Sequence, residues 1–227
     1  MRILALDTAL GLCSACVYDG ETGQILSAES IVMDKGHAES LMPLIERVIA
    51  KIPGKFKTIE RVAVSIGPGS FTGLRVALAA ARAFGVALRV PVVGVTTLSA
   101  YALPYLFDGT DRVIASVIDA RHSHFYAQIM GNDGQILMAP DVISITATAD
   151  ALAGKRVRVI GTGATLLEEI LVDRGEDVLC DGNLSGPDIA AIAQLGLIAT
   201  PHLSPPTPMY LKPPDALPQQ NGRLARA

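Results

Sequence analysis

The chain has 227 residues, 50% of them hydrophobic, with 4% aromatic content and no Trp. That length and apolar content suffice for one large domain or two small ones with well-filled cores. Lys and Arg total 19 against 22 Asp and Glu, a net charge of −3, which excludes an independent nucleic-acid binder. Any RNA the chain serves is expected to be gripped by a partner. The opening Met1-Arg2-Ile3-Leu4-Ala5-Leu6-Asp7 brings an acid too early for the apolar region of a signal peptide, so a cytoplasmic location is expected. The most apolar stretch, Gly73 to Val95, is interrupted by Arg75, Arg82, Arg89 and Pro91, which argues against a membrane span.

Ile3 to Leu6, Ala15 to Tyr18 and Ile25 to Val32 read as three strands joined by short turns, an antiparallel meander. From His37 to Lys51 the apolar positions Ala38, Leu41, Met42, Ile45, Val48 and Ile49 form one helical stripe, with Pro43 expected to bend it. The β-branched run Val62 to Ile66 predicts a strand, and Gly67-Pro68-Gly69 a tight turn into a helix ending near Leu88. Such a junction either binds an anion on its backbone N–H groups or is a plain turn with Ser70 or Thr72 as helix cap. It is neither a P-loop nor a dinucleotide fingerprint, because the lysine and the glycine spacing are missing. A strand at Val92 to Val95 and a short helix near Leu98 to Leu106 follow.

The second half repeats the first. Asp119 ends a strand 112 residues after Asp7, and Gly134-Gln135-Ile136-Leu137 follows Gly23-Gln24-Ile25-Leu26 by 111. Gly161-Thr162-Gly163 echoes Gly67-Pro68-Gly69 at an offset of 94, so the second copy has lost about 17 residues where the first carries its Pro43 helix. The fold class expected is α/β: a duplicated actin-like (ASKHA, ribonuclease H-like) fold, two lobes of mixed sheet flanked by helices, the second reduced. The lobes are expected over residues 1–107 and 108–227. Gly186-Pro187-Asp188 starts a last helix through Ile198, and a Pro-rich tail follows that is expected to be extended and, from Gln219, disordered.

By fold analogy, Asp7 and Asp119 occupy the places of acids that manage a metal-bound nucleotide, with Gly67, Gly69, Ser70, Gly161 and Gly163 as possible anion-binding positions. The first hairpin, Asp7 to Ser14, is poor in the glycines and lacks the lysine that cradle phosphates. No metal site is expected, since Leu41 stands four residues after His37 and the strand pair His122 and His124 has no third ligand in spacing. Cys13-Ser14-Ala15-Cys16 falls in a strand that sends the two thiols to opposite faces, so it reads as structural. The central helix carries Ala77, Ala79, Ala80, Ala81, Ala83 and Ala87, permitting close approach by another helix, and Arg75, Arg82 and Arg89 recur every seven residues.

Taken together, Ile3-Leu4-Ala5-Leu6-Asp7-Thr8, His37 before a Leu-Met-Pro helix, Gly67-Pro68-Gly69-Ser70-Phe71-Thr72-Gly73-Leu74-Arg75, Ile118-Asp119-Ala120-Arg121 and Pro208-Met209-Tyr210-Leu211-Lys212 resemble the bacterial TsaB family, also called YeaZ. The resemblance implies a non-catalytic subunit for N6-threonylcarbamoyladenosine modification of tRNA. It implies pairing with a catalytic TsaD-like paralogue and assembly with a TsaE-like ATPase, those partners holding ATP and metal, and no cofactor bound by this chain alone. The pairing helices are then His37 to Lys51 and Thr72 to Leu88, with His37, Ala38, Leu41, Met42, Ile45, Leu74, Arg75, Leu78 and Arg82 as candidate contacts and a homodimer through the same helices as a further possibility. Two departures stand out: Arg121-His122-Ser123-His124 replaces Arg-Met and an acid, and Lys212 replaces Arg. The alternatives are an actin-like ATPase or kinase acting alone, and a peptidase, the latter disfavoured by the lack of a readable nucleophile or metal-ligand set.

Overall fold

The structure, a computed structural model, describes residues 1–212. The tail prolines 213, 214 and 218 and the stretch expected to be disordered lie outside the described residues. β1 (Arg2–Asp7), β2 (Leu12–Asp19) and β3 (Gln24–Val32) form the expected meander, and β4 (Arg61–Gly67) and β5 (Val92–Thr96) add parallel strands on the other side of β1. The strand order is β3-β2-β1-β4-β5. Helices α1 (His37–Ala50) and α2 (Phe71–Leu88) make the crossovers. α3 (Thr97–Ala102) then leads into the second copy: β6 (Val113–Asp119), β7 (His124–Met130), β8 (Ile136–Ser144), α4 (Ile145–Leu152), β9 (Val157–Gly161), α5 (Ala164–Asp173) and β10 (Val178–Asn183). Its sheet runs β8-β7-β6-β9-β10, the same topology. The duplication inferred from sequence is the architecture.

Two details add to the expectation. The second copy keeps a helix where the first carries α1; α4 has 8 residues against 14, so the missing residues shorten that crossover without deleting it. The strands divide between Thr96 and Val113, β1–β5 in one sheet and β6–β10 in the other, but the helices do not follow that division. α6 (Ile189–Ile198) returns to the first sheet, where Ile189, Ile192 and Ala193 pack on Ile3, Ala5, Ala63 and Val93. α3, before the boundary, packs the other way, with Leu98 and Tyr101 against Ile114, Ile118 and Ile160. Each lobe thus covers one face of its partner's sheet.

Both faces of the first sheet are buried, which is why its strands read as nearly continuous apolar runs. Leu4, Leu6, Val62 and Val64 point at α1 and α2, and their neighbours Ile3, Ala5 and Ala63 at α6, the period-two alternation of a strand. Cys13 joins the first cluster and Cys16 the second, as the strand reading requires. Burial pushes their thiols up to about 11 and about 12. Gly196 lets α6 approach closely: a Cβ there would lie 2.4 Å from that of Ala63. Arg61 fastens the end of the helix, its Nη1 donating to the carbonyls of Gly196, Leu197 and Ala199 at 2.8–3.0 Å.

Candidate functional site

The Gly-Pro-Gly turn is packed from both sides by its own chain. Gly67 ends β4 at φ +103°, and a Cβ on it would meet the Met209 carbonyl at 3.1 Å. A Cβ on Gly69 would lie 2.3 Å from the Ala9 carbonyl oxygen, and one on Gly73 2.0 Å from that of Thr8. The glycines are therefore required because the β1–β2 hairpin lies directly on the turn. Ser70 caps α2 by accepting from the Gly73 N–H at 3.3 Å, and its own N–H donates to Ala9 at 2.7 Å. These two donors, which the anion reading would offer to a phosphate, are spent within the chain. The cap expected at Ser70 is present.

Asp7 and Asp119 sit at equivalent strand ends in unlike surroundings. Asp7 is fully buried; its Oδ1 accepts from the Ser65 hydroxyl and from the Ala9 N–H at 2.9 Å. Burial pushes its carboxyl above the usual range, and its Oδ2 has no hydrogen-bond partner among the described residues. Asp119 is exposed and accepts from the Arg121 N–H at 2.7 Å. The glycines opposite are filled as well. A Cβ on Gly161 would lie 2.2 Å from the Val117 oxygen, and one on Gly163 2.6 Å from the Phe125 ring. The residues present do not fit a metal-bound nucleotide: the first acid is sealed in, and the glycine turns are occupied by strand β6 and an aromatic ring. Among the described residues no group of three His, Cys, Asp or Glu comes together to hold a metal. His37 is spent structurally, its Nε2 donating to the Leu10 carbonyl at 3.1 Å.

The candidate pairing helices lie side by side on the outer face of the first lobe, and there the predicted contacts divide. Leu41, Ile45, Leu74 and Leu78 are at most 3% exposed and belong to the core beneath, so they are corrected from contact residues to packing residues. The reason is physical: the most apolar helical stripe is the one that covers the sheet, and periodicity finds that stripe first. Ala38 and Met42 do face outward, Met42 at 52% exposure. So do Ala79 and Ala83 of the alanine set expected to admit another helix, joined by Thr72 and Val86, which sequence reasoning did not single out, Val86 being 81% exposed. α2 has the length and apolarity of a membrane span, yet Leu74, Ala77 and Ala81 bury one side of it against β4. Its other side is Ala-rich, apolar and uncovered.

Arg75 and Arg82 flank that row and hold a strap formed by residues 204–212. Arg82 donates through Nε and Nη2 to the Pro206 carbonyl, at 3.2 and 2.5 Å. Arg75 lies over the Phe71 ring, 3.7 Å from its centroid, and donates from Nε to the Tyr210 hydroxyl at 3.2 Å. The Phe71 and Tyr210 rings are 5.3 Å apart. Backbone bonds complete the attachment, Gly94 N–H to Ser204 at 2.9 Å and Met209 N–H to Ile66 at 2.7 Å. The strap then closes one side of a cavity of about 570 Å³ between the lobes, with Ser70, Phe71, Asp119, Arg121 and Tyr126 on its other walls. The prolines announced an extended segment; nothing in their spacing said where it would dock.

Comparison with known proteins fits this geometry. Residues 25–214 match the family model described as TsaD: tRNA N6-adenosine threonylcarbamoyltransferase. The Escherichia coli tRNA threonylcarbamoyladenosine biosynthesis protein TsaB is 28% identical over 82% of both chains. The chain belongs to the TsaB (YeaZ) family. An uncharacterised Mycobacterium tuberculosis protein is similar at 31% identity, over 95% of this chain and 94% of its own length. YeaZ from Pseudomonas aeruginosa superposes with a TM-score of 0.74 at 24% identity, covering 92% of this TsaB-family chain and 99% of that one. The PilM–PilN type IV pilus biogenesis complex reaches 0.50 at 13% identity, a likeness of fold alone. The actin-like architecture expected from the repeat is thereby shown.

Proposed function

We propose that this TsaB-family chain is a non-catalytic subunit in the threonylcarbamoyladenosine modification of tRNA. It pairs through the outer faces of α1 and α2 with a TsaD-type catalytic paralogue, and a TsaE-type ATPase joins the assembly. ATP and metal belong to those partners, and tRNA is reached through the complex. The observation that carries this reading is the uncovered face of α2: an 18-residue helix that leaves Thr72, Ala79, Ala83 and Val86 in solvent beside Met42. Small side chains let a second helix approach closely, and an apolar face of this kind is stabilised by being covered. The internal filling of the glycine turns and the sealing of Asp7 support a role in which this chain does not process nucleotide itself.

The test is co-elution of the chain with its cognate TsaD-type protein in size-exclusion chromatography with light scattering. Wild type is expected to form a stoichiometric complex and Val86→Glu to elute apart from the partner, because covering the new carboxylate with an apolar helix costs several kcal/mol. A complex that survives Val86→Glu unchanged overturns the assignment of this face.

A further inference from the structure

The pairing surface has a charged margin whose geometry is set in advance. Arg75 and Arg82 stand seven residues apart, two turns or about 10.5 Å along one side of α2. Each is held in place: Arg75 by the Phe71 ring and the Tyr210 hydroxyl, Arg82 by the Pro206 carbonyl. The hold is partial. Arg75 uses only Nε, and Arg82 leaves Nη1 unused, so donors of both guanidinium groups stay open in solvent-exposed side chains. An arginine whose rotamer is already fixed, with N–H groups left over, suits a carboxylate approaching along the margin of the face, and little rotamer entropy remains to be lost on contact.

The opposite charge occurs on the neighbouring helix. Glu39 and Glu46 of α1 are exposed, lie seven residues apart, and have no partner among the described residues. Arg47, next to Glu46, is already taken by Glu29. The model of the transferase family matches residues 25–214 of this chain, so that family shares both helices. If the partner's α1-equivalent helix carries acids at the spacing of Glu39 and Glu46, setting α2 against it opposes the signs, whereas a basic helix set against α2 brings like charge to like.

We propose that Arg75 and Arg82, held by the 204–212 strap, are a carboxylate-reading pair that sets the register of the TsaD-type partner by engaging acidic residues on its α1-equivalent helix. Tyr210 is then a positioning residue acting through Arg75. This rests on the pairing reading above.

The experiment measures the Kd of the full chain for the cognate TsaD-type protein by calorimetry at low and high salt. Arg75→Gln is expected to weaken binding roughly tenfold at low salt, the size of one charge-assisted contact. The double variant Arg75→Gln, Arg82→Gln should lose most of the salt dependence that wild type shows. Tyr210→Phe keeps the ring on Phe71 and removes only the hydroxyl; about a threefold loss is expected at low salt, vanishing at high salt, which a merely structural role would not produce. Val86→Glu separates the two claims. If it binds like wild type, the pairing face itself is wrong. If it abolishes binding while both arginine variants keep wild-type affinity and salt dependence, the carboxylate-reading pair alone is overturned. A second copy of this chain offers the same carboxylates, so sedimentation of the chain alone is run beside it. Arginine variants that dissociate a homodimer yet leave partner affinity unchanged also overturn the proposal.

Discussion

Asp7 shows how one residue changes meaning between sequence and structure. An acid at the end of the first strand invites a metal-nucleotide role, but here it lies inside the protein with Ser65 and the Ala9 amide as its donors. Burial raises its pKa, so the folded state holds the proton to higher pH than the unfolded chain does. Its contribution to stability is therefore full below the unfolded value of about 4 and is lost as pH rises through the raised folded value. Asp7→Asn is expected to flatten this component, gaining stability relative to wild type as pH rises from about 4 toward neutrality; urea titrations of both proteins across that range check it. A wild-type minus variant difference that is constant with pH contradicts the assignment. Gly73 makes a second residue-level claim. A methyl group there meets a backbone oxygen, which has little freedom to move, so Gly73→Ala should cost about 2–3 kcal/mol and lower the urea midpoint. The glycine count of this motif was legible in the sequence; that the first hairpin presses on it was not, since the contact joins residues more than sixty positions apart.

At the scale of elements, the strands and helices of the first lobe were readable to within a few residues because each carries one strong signal. β4 is β-branched and ends in glycine, α1 has an apolar stripe, and α6 starts at a Pro-Asp cap and stops before Pro201. What the pattern could not reveal is which stripe of a helix is spent at home. Ile45 and Val86 make the contrast testable. Ile45→Glu buries an unpaired charge and should leave the first lobe unfolded, whereas Val86→Glu should change stability by no more than about 0.5 kcal/mol. Circular dichroism melts of the two variants decide, and equal destabilisation would contradict the division of the helices into core and outer faces. α6 supplies a further case. Arg61 of β4 hydrogen-bonds its C-terminal end, and Arg61→Met leaves three carbonyls without their donor, so a loss of about 2 kcal/mol with an unchanged denaturant slope is expected.

For the whole molecule, the repeat announced two similar sheets, and their common strand order bears it out. The exchange of α3 and α6 between lobes was hidden, because a short apolar helix fits any apolar sheet face and sequence order favours the nearer one. The docking of the strap was hidden for a related reason: carbonyls and ring edges accept an arginine wherever the chain brings them. These two long-range features organise the molecule for its role. The helices pack each lobe on the other's sheet, and the strap lies along the margin of a face that the fold leaves uncovered. The central claim, that this face exists to engage and activate a TsaD-type subunit, is tested most directly by reconstituting tRNA modification. Threonylcarbamoyladenosine would be quantified on tRNA after incubation with cognate TsaD- and TsaE-type proteins, alone, with the wild-type chain, or with folded Val86→Glu. Product is expected with wild type and near-background product in the other two mixtures. Equal product in all three would contradict that claim.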